Sequence, residues 1–567
     1  MNLKEKPFYL SNEDINWVEE TLKEMTLDEK IGQLFLPVNF IGEEDKLKEF
    51  INKFKPAGLL NRPAPAAEIY KRHKVIQDTT KIPMLLAGNV ESGGNGIVVD
   101  GTFFGNPLQV AATDDESYAY KLGEIAAAEG HAVGLNYAFA PIIDIDTNTL
   151  NPITNTRTFG NDPERVYRMA KAYIKGLKDT ASEITYSVKH FPGDGIDDRD
   201  QHLHTTFNTL QPEEWEATYG KNYRCLIDEG AETIMVGHIG LPHYVKAINP
   251  NATKKEMLAP STLSKEIVTG LLRKKMNFNG VIITDSTSMM GFYAYMSREL
   301  AVPTAIAVGC DIFLFNHDVE EDYEFMKKGI EKGILTEERV DEAVTRTLAL
   351  KASLGLHKMQ EEGKLLPSEE ELKVVGCTEF ADSAKKCADK AVTLVKDEEN
   401  SLPLSVDKHK NLIVYILGDK EDFVGNKKIG ETFVEAIKKE GFNVEIFDTA
   451  VKFPVEGMTT KKFFEKYDAA IYVLSEGTAS NQTTVRLNWN LPLANNAPWF
   501  VNDIPTVAIS FANPYHLRDM PQLKTYINAY STNNYNVQAV IDKLLGRSAF
   551  EGVSPVDTTC GYFELNL

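Results

Sequence analysis

The sequence predicts an α/β protein in which an N-terminal (β/α)8 TIM-like barrel is followed by an α/β three-layer sandwich domain. Eight short apolar runs alternate with helical patterns over roughly the first 350 residues, as expected for a barrel. A charged, apolar-poor segment follows, and a second alternation of strands and helices fills the rest of the chain. A doubly wound open sheet is the competing architecture, but no GxGxxG motif follows the first predicted strand.

The predicted barrel spans residues 1–355. It begins with an amphipathic helix over 12–30, for which Ser11 or Asn12 is the expected N-cap. Helical patterns such as 115–133, 163–179, 212–228 and 263–275 separate the strands, and a helix over 335–354 ends the region. The strands are predicted at 31–38, 58–61, 83–87, 135–140, 184–188, 233–236, 280–283 and 311–315.

Residues 356–380 are charged and apolar-poor, which predicts a linker. The second domain, 381–567, begins with a predicted helix over 381–392, and two further helices are expected at 431–440 and 537–545. A mostly parallel sheet between helix layers is therefore expected. Its strands are predicted at 412–417, 444–447, 469–474, 506–511 and 525–529.

Charge and composition exclude several classes of function. A formal net charge of −21 argues against a surface for nucleic acid or anionic membranes. No run of 18 apolar residues predicts a membrane span, and no apolar segment near the N-terminus predicts a secretory signal. A cytoplasmic location is therefore expected, although a chain whose signal had been removed would show the same pattern. Five scattered cysteines without CxxC spacing predict neither a disulfide framework nor a zinc site.

One stretch, Lys189 to Thr206, concentrates titratable side chains directly after a predicted strand. Barrel enzymes carry their chemistry in loops of this kind, at the carboxyl ends of strands. The alternative is a solvated acidic loop with incidental histidines, which the apolar run before Lys189 disfavours. The titratable residues of this stretch include Lys189, His190, Asp194, Asp197, Asp198, Asp200, His202 and His204.

Polar residues also follow most of the other predicted barrel strands. Because the carboxyl ends of parallel strands meet at one rim, these side chains are expected to converge on an active site. Asn89 and Glu91 follow the third strand, Asp144, Asp146 and Arg157 the fourth, His238 the sixth, and Asp285 the seventh.

Two of these groups suggest particular chemistry. Asp285 is either a helix N-cap or a nucleophile that attacks a sugar anomeric carbon. Asp200 and His202 are separated by one residue, so in an extended segment both would project to one face. The carboxylate would then orient the imidazole as a general acid and base. Arg157, Lys189 and His190 would supply donors for sugar hydroxyls.

Together these residues resemble glycoside hydrolase family 3, and most of all its β-N-acetylglucosaminidase branch. The KHFPG motif is followed by Asp200 and His202 eleven and thirteen residues after Lys189, which marks that branch. Segments 390–404 and 506–531 look typical of two-domain members. The resemblance implies a retaining exo-β-N-acetylglucosaminidase that releases terminal β-GlcNAc, with Asp285 as nucleophile and His202, held by Asp200, as acid/base.

The resemblance also implies a set of sugar-binding residues. Arg157, Lys189 and His190 correspond to the family's sugar-binding residues, and Asn89 or Glu91 stands for its strand-end Asp. His238 joins them as a candidate because it follows a strand. The chain departs from the branch at three positions, which leaves open a shift to another β-hexoside. Asn89 replaces Asp, Asp194 replaces His, and Gln201 replaces Ser.

Several alternatives stay open at this stage. Family members that act on glucosides place an acid/base Glu on the second domain, and Glu476 is the candidate here, with Arg486 and Trp489 nearby. An imidazole acid/base repels an anion less than a carboxylate does, so phosphate could replace water. A catalytically silent sugar-binding protein is disfavoured because Asp285, Asp200 and His202 are all present.

The last alternative is a metal-dependent hydrolase. The sequence lacks an HExxH helix or an H-x-H on a first strand, and Lys189 would repel a cation. No metal or organic cofactor is therefore expected. A carbohydrate is the expected partner, and a homodimer is compatible with the sequence. The ligands of such a metal would come from His190, Asp194, Asp198, His202 and His204.

Overall fold

The computed structural model describes residues 1–419, 428–448, 459–489, 491 and 494–565. The predicted fold class is confirmed: a parallel β-barrel ringed by helices is followed by an α/β sandwich. In the described part of the chain, no helix is long and apolar enough to cross a membrane.

The barrel closes because its first strand pairs with a neighbour on each side. This strand is interrupted at Pro37 and so consists of two segments, β1 and β2. β1 pairs in parallel with β11, and β2 pairs in parallel with β3. Strands β3, β4, β8 and β10 are buried along their whole length, as parallel strands covered by helices should be. The strands are β1 (Phe35–Leu36), β2 (Val38–Asn39), β3 (Gly58–Asn61), β4 (Leu85–Gly88), β5 (Tyr137–Ala138), β6 (Thr185–Phe191), β7 (Thr206–Phe207), β8 (Thr233–Val236), β9 (Ile239–Gly240), β10 (Val281–Thr284) and β11 (Phe313–Leu314).

The helices of this region include the amphipathic segments expected between the strands. A π-type helix, Glu266–Lys275, and short β7–β9 pairing outside the barrel were not expected. The α-helices are α1 (Asn12–Glu24), α2 (Leu27–Gly32), α3 (Glu44–Phe54), α4 (Ala66–Thr79), α5 (Pro107–Ala112), α6 (Glu116–Ala132), α7 (Pro163–Thr180), α8 (Pro212–Ala217), α9 (Tyr219–Asp228), α10 (Pro242–Ile248), α11 (Lys254–Met257), α12 (Met290–Tyr293), α13 (Arg298–Ala307), α14 (Val319–Glu331), α15 (Glu337–Ser353) and α16 (Leu356–Glu361).

The first predicted helix and strand were misplaced. The helix expected over 12–30 is two helices, because Thr26 starts a new one: Thr26 Oγ1 accepts from the Glu29 N–H (3.3 Å), and the Glu29 carboxylate accepts from the Thr26 N–H (2.8 Å). Ile31 and Gly32 therefore belong to α2, and the strand expected from residue 31 begins only at Phe35. The Ser11 N-cap agrees with one of the two candidates.

The second domain is a six-stranded sheet between helices. Its strand order is β12-β17-β16-β15-β13-β14, parallel except for the antiparallel β12–β17 pair, and β12 was missed in the sequence. α17, α18 and α20 supply much of the apolar core on one face, and α19 packs on the other. The elements are α17 (Thr378–Ala391), β12 (Thr393–Asp397), β13 (Asn411–Leu417), α18 (Ile429–Lys439), β14 (Asn443–Ile446), α19 (Thr460–Lys466), β15 (Ala469–Leu474), β16 (Thr506–Ser510), β17 (Thr525–Asn528) and α20 (Asn534–Leu544).

The second domain rests against the barrel loop that follows β5. The Tyr515 hydroxyl donates to Asp146 (2.5 Å), and the Arg518 guanidinium donates to the Thr149 carbonyl (3.0 Å). The segment proposed as a linker, 356–380, holds α16 and a 3-10 turn, Glu369–Val374. The boundaries proposed from the sequence stay predictions.

Candidate active site

A cavity of about 360 Å³ lies at the carboxyl ends of the barrel strands. Seven of the nine predicted site residues line it, whereas Asp200 and His238 lie behind its wall. The lining residues are Asn89, Glu91, Phe139, Ile153, Arg157, Lys189, His190, His202, Met235, Asp285, Ser286, Leu314, Phe315 and Ser480.

Glu91 is held by two cations in the wall of the cavity. The Lys189 ammonium donates to Glu91 Oε1 (2.7 Å), and the Arg157 guanidinium lies 3.6 Å from the same oxygen. Burial alone would raise the pKa of Glu91, but the charges of Lys189 and Arg157 outweigh it and hold the pKa below its usual value. Glu91 is therefore ionised, and it fixes two cationic donors at the cavity surface.

Arg157 reaches the cavity from the loop after β5. Buried Asp146 organises this loop: Asp146 Oδ1 accepts from the Thr154 hydroxyl (2.5 Å) and from the Asn155 N–H (3.0 Å). Its second oxygen accepts from the Tyr515 hydroxyl (2.5 Å) of the second domain. The position of Arg157 thus depends on contacts from both domains.

His190 is oriented by Asp144, a strand-end residue to which the sequence assigned no role. Asp144 Oδ2 lies 2.7 Å from His190 Nδ1, and Oδ1 accepts the main-chain N–H groups of His190 (3.2 Å) and Asp194 (2.8 Å). The opposite ring nitrogen, Nε2, lies 4.0 Å from Asp285 Oδ2. The imidazole therefore bridges two carboxylates, one that orients it and one in the cavity.

Asp285 follows β10 and does not cap a helix. The next helix, α12, begins after Met289, so the N-cap alternative is wrong. The Asp285 carboxylate accepts from the Ser286 N–H (2.6 Å). Although burial raises its pKa, the nearby imidazoles, His190 first, hold the pKa of Asp285 below its usual value. Asp285 is thus an ionised carboxylate exposed to the cavity, as a nucleophile must be.

Asp200 and His202 form a hydrogen-bonded dyad, but not in the extended segment that was expected. The Leu203 N–H donates to the Asp200 carbonyl (3.0 Å), which makes the segment a turn. Asp200 Oδ1 accepts from the His202 N–H (2.8 Å) and lies 2.7 Å from His202 Nδ1. The Asp200 side chain is fully buried, whereas that of His202 is 25% exposed and lines the cavity. Burial raises the pKa of Asp200, but the hydrogen bonds from His202 bring it below its usual value.

His238 supports the cavity from behind. Its Nε2 lies 2.8 Å from the Ser286 carbonyl and its Nδ1 lies 2.9 Å from the Thr262 hydroxyl. Burial lowers the pKa of His238 to about 4, so the ring is neutral. A neutral ring donates from Nε2 to the carbonyl and accepts at Nδ1 from the hydroxyl. His238 therefore holds the loop next to Asp285 and leaves no ring nitrogen free for a sugar.

The three departures from the family pattern lie at different depths. Asn89 lines the cavity, whereas Asp194 and Gln201 do not. Burial and the charge of Asp144 raise the pKa of Asp194 to about 8. Asn89 is thus the departure that can contact a bound sugar directly.

The second domain reaches the cavity through Ser480, which the sequence did not single out. Glu476, the alternative acid/base, does not line the cavity, and its carbonyl lies 2.8 Å from His516 Nε2. Arg486 pairs with Asp519 (2.7 Å). The Trp489 ring lies 6.5 Å from that of Tyr472. Arg486 and Trp489 thus contact other residues of the second domain, and Glu476 lies outside the cavity lining.

The proposed metal ligands do not form a cluster. Among the residues that the structure describes, no group of three or more His, Cys, Asp and Glu side chains is arranged to hold a metal ion. His190 and His202 instead each direct Nδ1 to an aspartate.

A barrel whose rim cavity holds an ionised carboxylate, together with an imidazole that a buried carboxylate orients, has the groups that glycoside hydrolysis requires. Residues 26–350 match the glycosyl hydrolase family 3 N-terminal domain. The chain is 38% identical over 570 residues to the β-N-acetylglucosaminidase/β-glucosidase of Cellulomonas fimi, with all of both chains covered. The chain belongs to glycosyl hydrolase family 3, as the sequence predicted, and it is an enzyme that acts on carbohydrates.

Two solved structures extend this comparison. β-Glucoside phosphorylase BglX is 42% identical with a TM-score of 0.93, and the alignment covers 99% of each chain. A family 3 β-N-acetylglucosaminidase from Paenibacillus sp. str. FPU-7 is 23% identical with a TM-score of 0.75, over 95% of this chain and 100% of that one. The second similarity concerns the fold alone.

Proposed function

We propose that this enzyme removes a terminal β-linked GlcNAc or glucose residue with retention of configuration. The observation that carries the proposal is that Asp285 and His202 line one cavity, with His202 fixed by buried Asp200. The dual name of the Cellulomonas fimi relative supports both sugars as substrates. A cytoplasmic location and a homodimer stay predictions from the sequence.

The reaction proceeds in two steps. Asp285 attacks the anomeric carbon while His202 gives its Nε2 proton to the glycosidic oxygen, so the C1–O bond breaks and the leaving alcohol departs. His202 then removes a proton from water, which attacks C1 and releases the sugar from Asp285. Asp200 holds the ring in both steps. Lys189, Arg157 and His190 are the proposed donors to sugar hydroxyls, and Glu91 and Asn89 the proposed acceptors.

Phosphate is a second candidate for the acceptor in the second step. Its attack on C1 would give a sugar 1-phosphate of retained configuration in place of the free sugar. The observation that favours it is that the proposed acid/base is an imidazole, which in its neutral form does not repel an anion as a carboxylate would. The 42% identity to a structure named β-glucoside phosphorylase supports the same candidate.

Turnover of aryl β-GlcNAc, β-glucoside, β-xyloside and α-arabinoside tests the proposal, with phosphate and EDTA each added or withheld. We expect turnover of β-GlcNAc or β-glucoside, insensitive to EDTA. The sugar product distinguishes the acceptors: the free sugar indicates water, and the 1-phosphate indicates phosphate. If none of the glycosides were turned over, the result would contradict the proposal and favour the alternative of a catalytically silent sugar-binding protein.

The acid/base assignment is tested by His202→Ala with Glu476→Gln as the matched variant. His202→Ala should lose about 10²- to 10⁴-fold on glycosides with poor leaving groups, and far less on activated aryl glycosides. Glu476→Gln should keep its activity on both. If Glu476→Gln showed this dependence on the leaving group and His202→Ala did not, Glu476 would be the acid/base.

A further inference from the structure

A loop of the second domain, residues 475–484, runs from the carboxyl end of β15 to the mouth of the barrel. Ser480 lines the cavity, and the Thr484 hydroxyl donates to the Leu150 carbonyl (2.8 Å). Between them, the Asn481 main-chain N–H donates to Asp200 Oδ2 (2.6 Å). The loop therefore touches both the cavity and the buried member of the dyad.

The Asp200 carboxylate divides its hydrogen bonds between the two domains. Oδ1 accepts from the His202 N–H and faces the His202 ring, while Oδ2 accepts from Asn481. A fully buried carboxylate stays charged only where donors surround it. In the described part of the chain, the Asn481 N–H is the donor to Oδ2. Without it, Asp200 would turn or take up a proton, and the His202 ring would lose its orientation.

The backbone of Asn481 suits this task. Its φ is +66°, in the left-handed region, where Asn is among the few residues other than Gly that are readily accepted. Proline cannot adopt this φ and has no N–H to donate. Asn481 is therefore a residue type that accepts this backbone conformation and also has the N–H that the contact with Asp200 requires.

The barrel holds the dyad turn by different groups. The Met290 N–H donates to the His202 carbonyl (3.0 Å), and Gln201 Oε1 accepts from the His238 N–H (2.8 Å). These contacts fix the main chain of the turn and the Gln201 side chain. The contact from Asn481 is made to the carboxylate itself.

We propose that the second domain is a working part of the active site, because the main-chain N–H of Asn481 positions Asp200 and, through it, His202 for proton transfer. This inference rests on the proposed function, since it takes His202 as the acid/base. Asn481 is a positioning residue: it contacts neither the sugar nor the leaving group. In the alternative mechanism the second domain would supply the acid/base itself, Glu476. In the mechanism proposed here it supplies a hydrogen bond to the dyad.

The test compares Asn481→Pro, which removes the N–H, with Asn481→Gly, which keeps it and accepts the left-handed φ. The readout is kcat/KM for a 2,4-dinitrophenyl glycoside, which needs no proton, and for an alkyl glycoside of the same sugar, which does. We expect Asn481→Pro to lose about tenfold or more on the alkyl glycoside and less than about twofold on the dinitrophenyl one. Asn481→Gly should keep kcat/KM for the alkyl glycoside within about threefold of that of the parent enzyme. Exposed Thr483→Ala in the same loop is the control.

An equal loss on both glycosides, or no loss on either, overturns the positioning role. His202→Ala measured alongside separates the two proposals: if it shows the leaving-group dependence and Asn481→Pro does not, only the role of Asn481 is wrong. If His202→Ala shows none, the proposed function fails as well. Should Asn481→Pro not fold, Thr484→Val loosens the same loop from its barrel anchor, and it should show a smaller loss confined to the alkyl glycoside.

Discussion

The substitution Asp200→Asn tests the dyad because it removes the charge of Asp200 and keeps its size. The carboxylate faces two nitrogens of His202 on one oxygen and the Asn481 N–H on the other. An amide offers one oxygen and one NH2 group. Whichever way it is turned, the NH2 group faces a donor: either the Asn481 N–H or the His202 main-chain N–H.

The magnitude follows from this geometry. At least one hydrogen bond to a charged acceptor is lost in a buried site, and such a bond contributes about 1.5–3 kcal/mol. Since about 1.4 kcal/mol on the barrier changes a rate tenfold, kcat/KM should fall about 10- to 150-fold for glycosides whose leaving group needs a proton. Dinitrophenyl glycosides should lose less than about threefold, because their leaving group departs unprotonated.

The assay is kcat/KM across dinitrophenyl, nitrophenyl and methyl glycosides of one sugar. Asp198→Asn, an exposed carboxylate in the same stretch, is the matched control and should leave all three unchanged. A loss that is uniform across the three leaving groups would refute the reasoning, because it would show that Asp200 maintains the fold of the loop and not the proton transfer.

Three further predictions concern the other buried carboxyls. Asp285→Asn should lower kcat/KM about 10⁴-fold or more on every leaving group, since an amide does not attack the anomeric carbon; initial rates measure this, and a loss below tenfold would contradict it. Glu91→Gln should lower the free energy of unfolding by about 1.5–3 kcal/mol because the Lys189 ammonium, 3% exposed, loses its counter-charge. Urea unfolding measures this loss. The control is Asp382→Asn, which breaks an exposed ion pair and should cost only about 0–1 kcal/mol. Burial and a neighbouring carboxylate raise the pKa of Asp194 to about 8 from 3.8, so the folded state holds a proton that the unfolded state releases, and stability from this group falls as pH rises across that interval. The urea midpoint of Asp194→Asn should therefore fall less than that of the parent between about pH 5 and about pH 8, and an identical slope would contradict this.

Much of the fold could be predicted from apolar runs with clear turn signals at both ends. β3 and β8 agree residue for residue with the predicted strands, because each is a short buried run between breakers. The errors lie where a local signal interrupts a continuous pattern. Thr26 starts a second helix inside an apparently continuous one, and β12 is an antiparallel edge strand directly after a helix.

The site was predictable where its residues are local in sequence, and not where they meet across the fold. The dyad lies within three residues, and the cavity gathers Asp285, Arg157 and Glu91 from separate strand ends as the barrel geometry requires. The contact between Asp200 and Asn481 spans 281 residues, and no spacing rule reaches that far. A main-chain N–H also leaves no trace in the residue type beyond an Asn that tolerates positive φ.

The pairing of β1 with β11 has a consequence for how the protein is made. Phe35 lies opposite Phe313, so the last seam of the barrel joins segments about 280 residues apart. At ribosomal rates of about 5–20 residues per second, β1 waits roughly 14–56 s for its partner. During that interval one edge of an apolar strand stays unpaired and open to association with other nascent chains. β1 is therefore the part of the newly made barrel that stays exposed to misassociation longest, until β11 has left the ribosome.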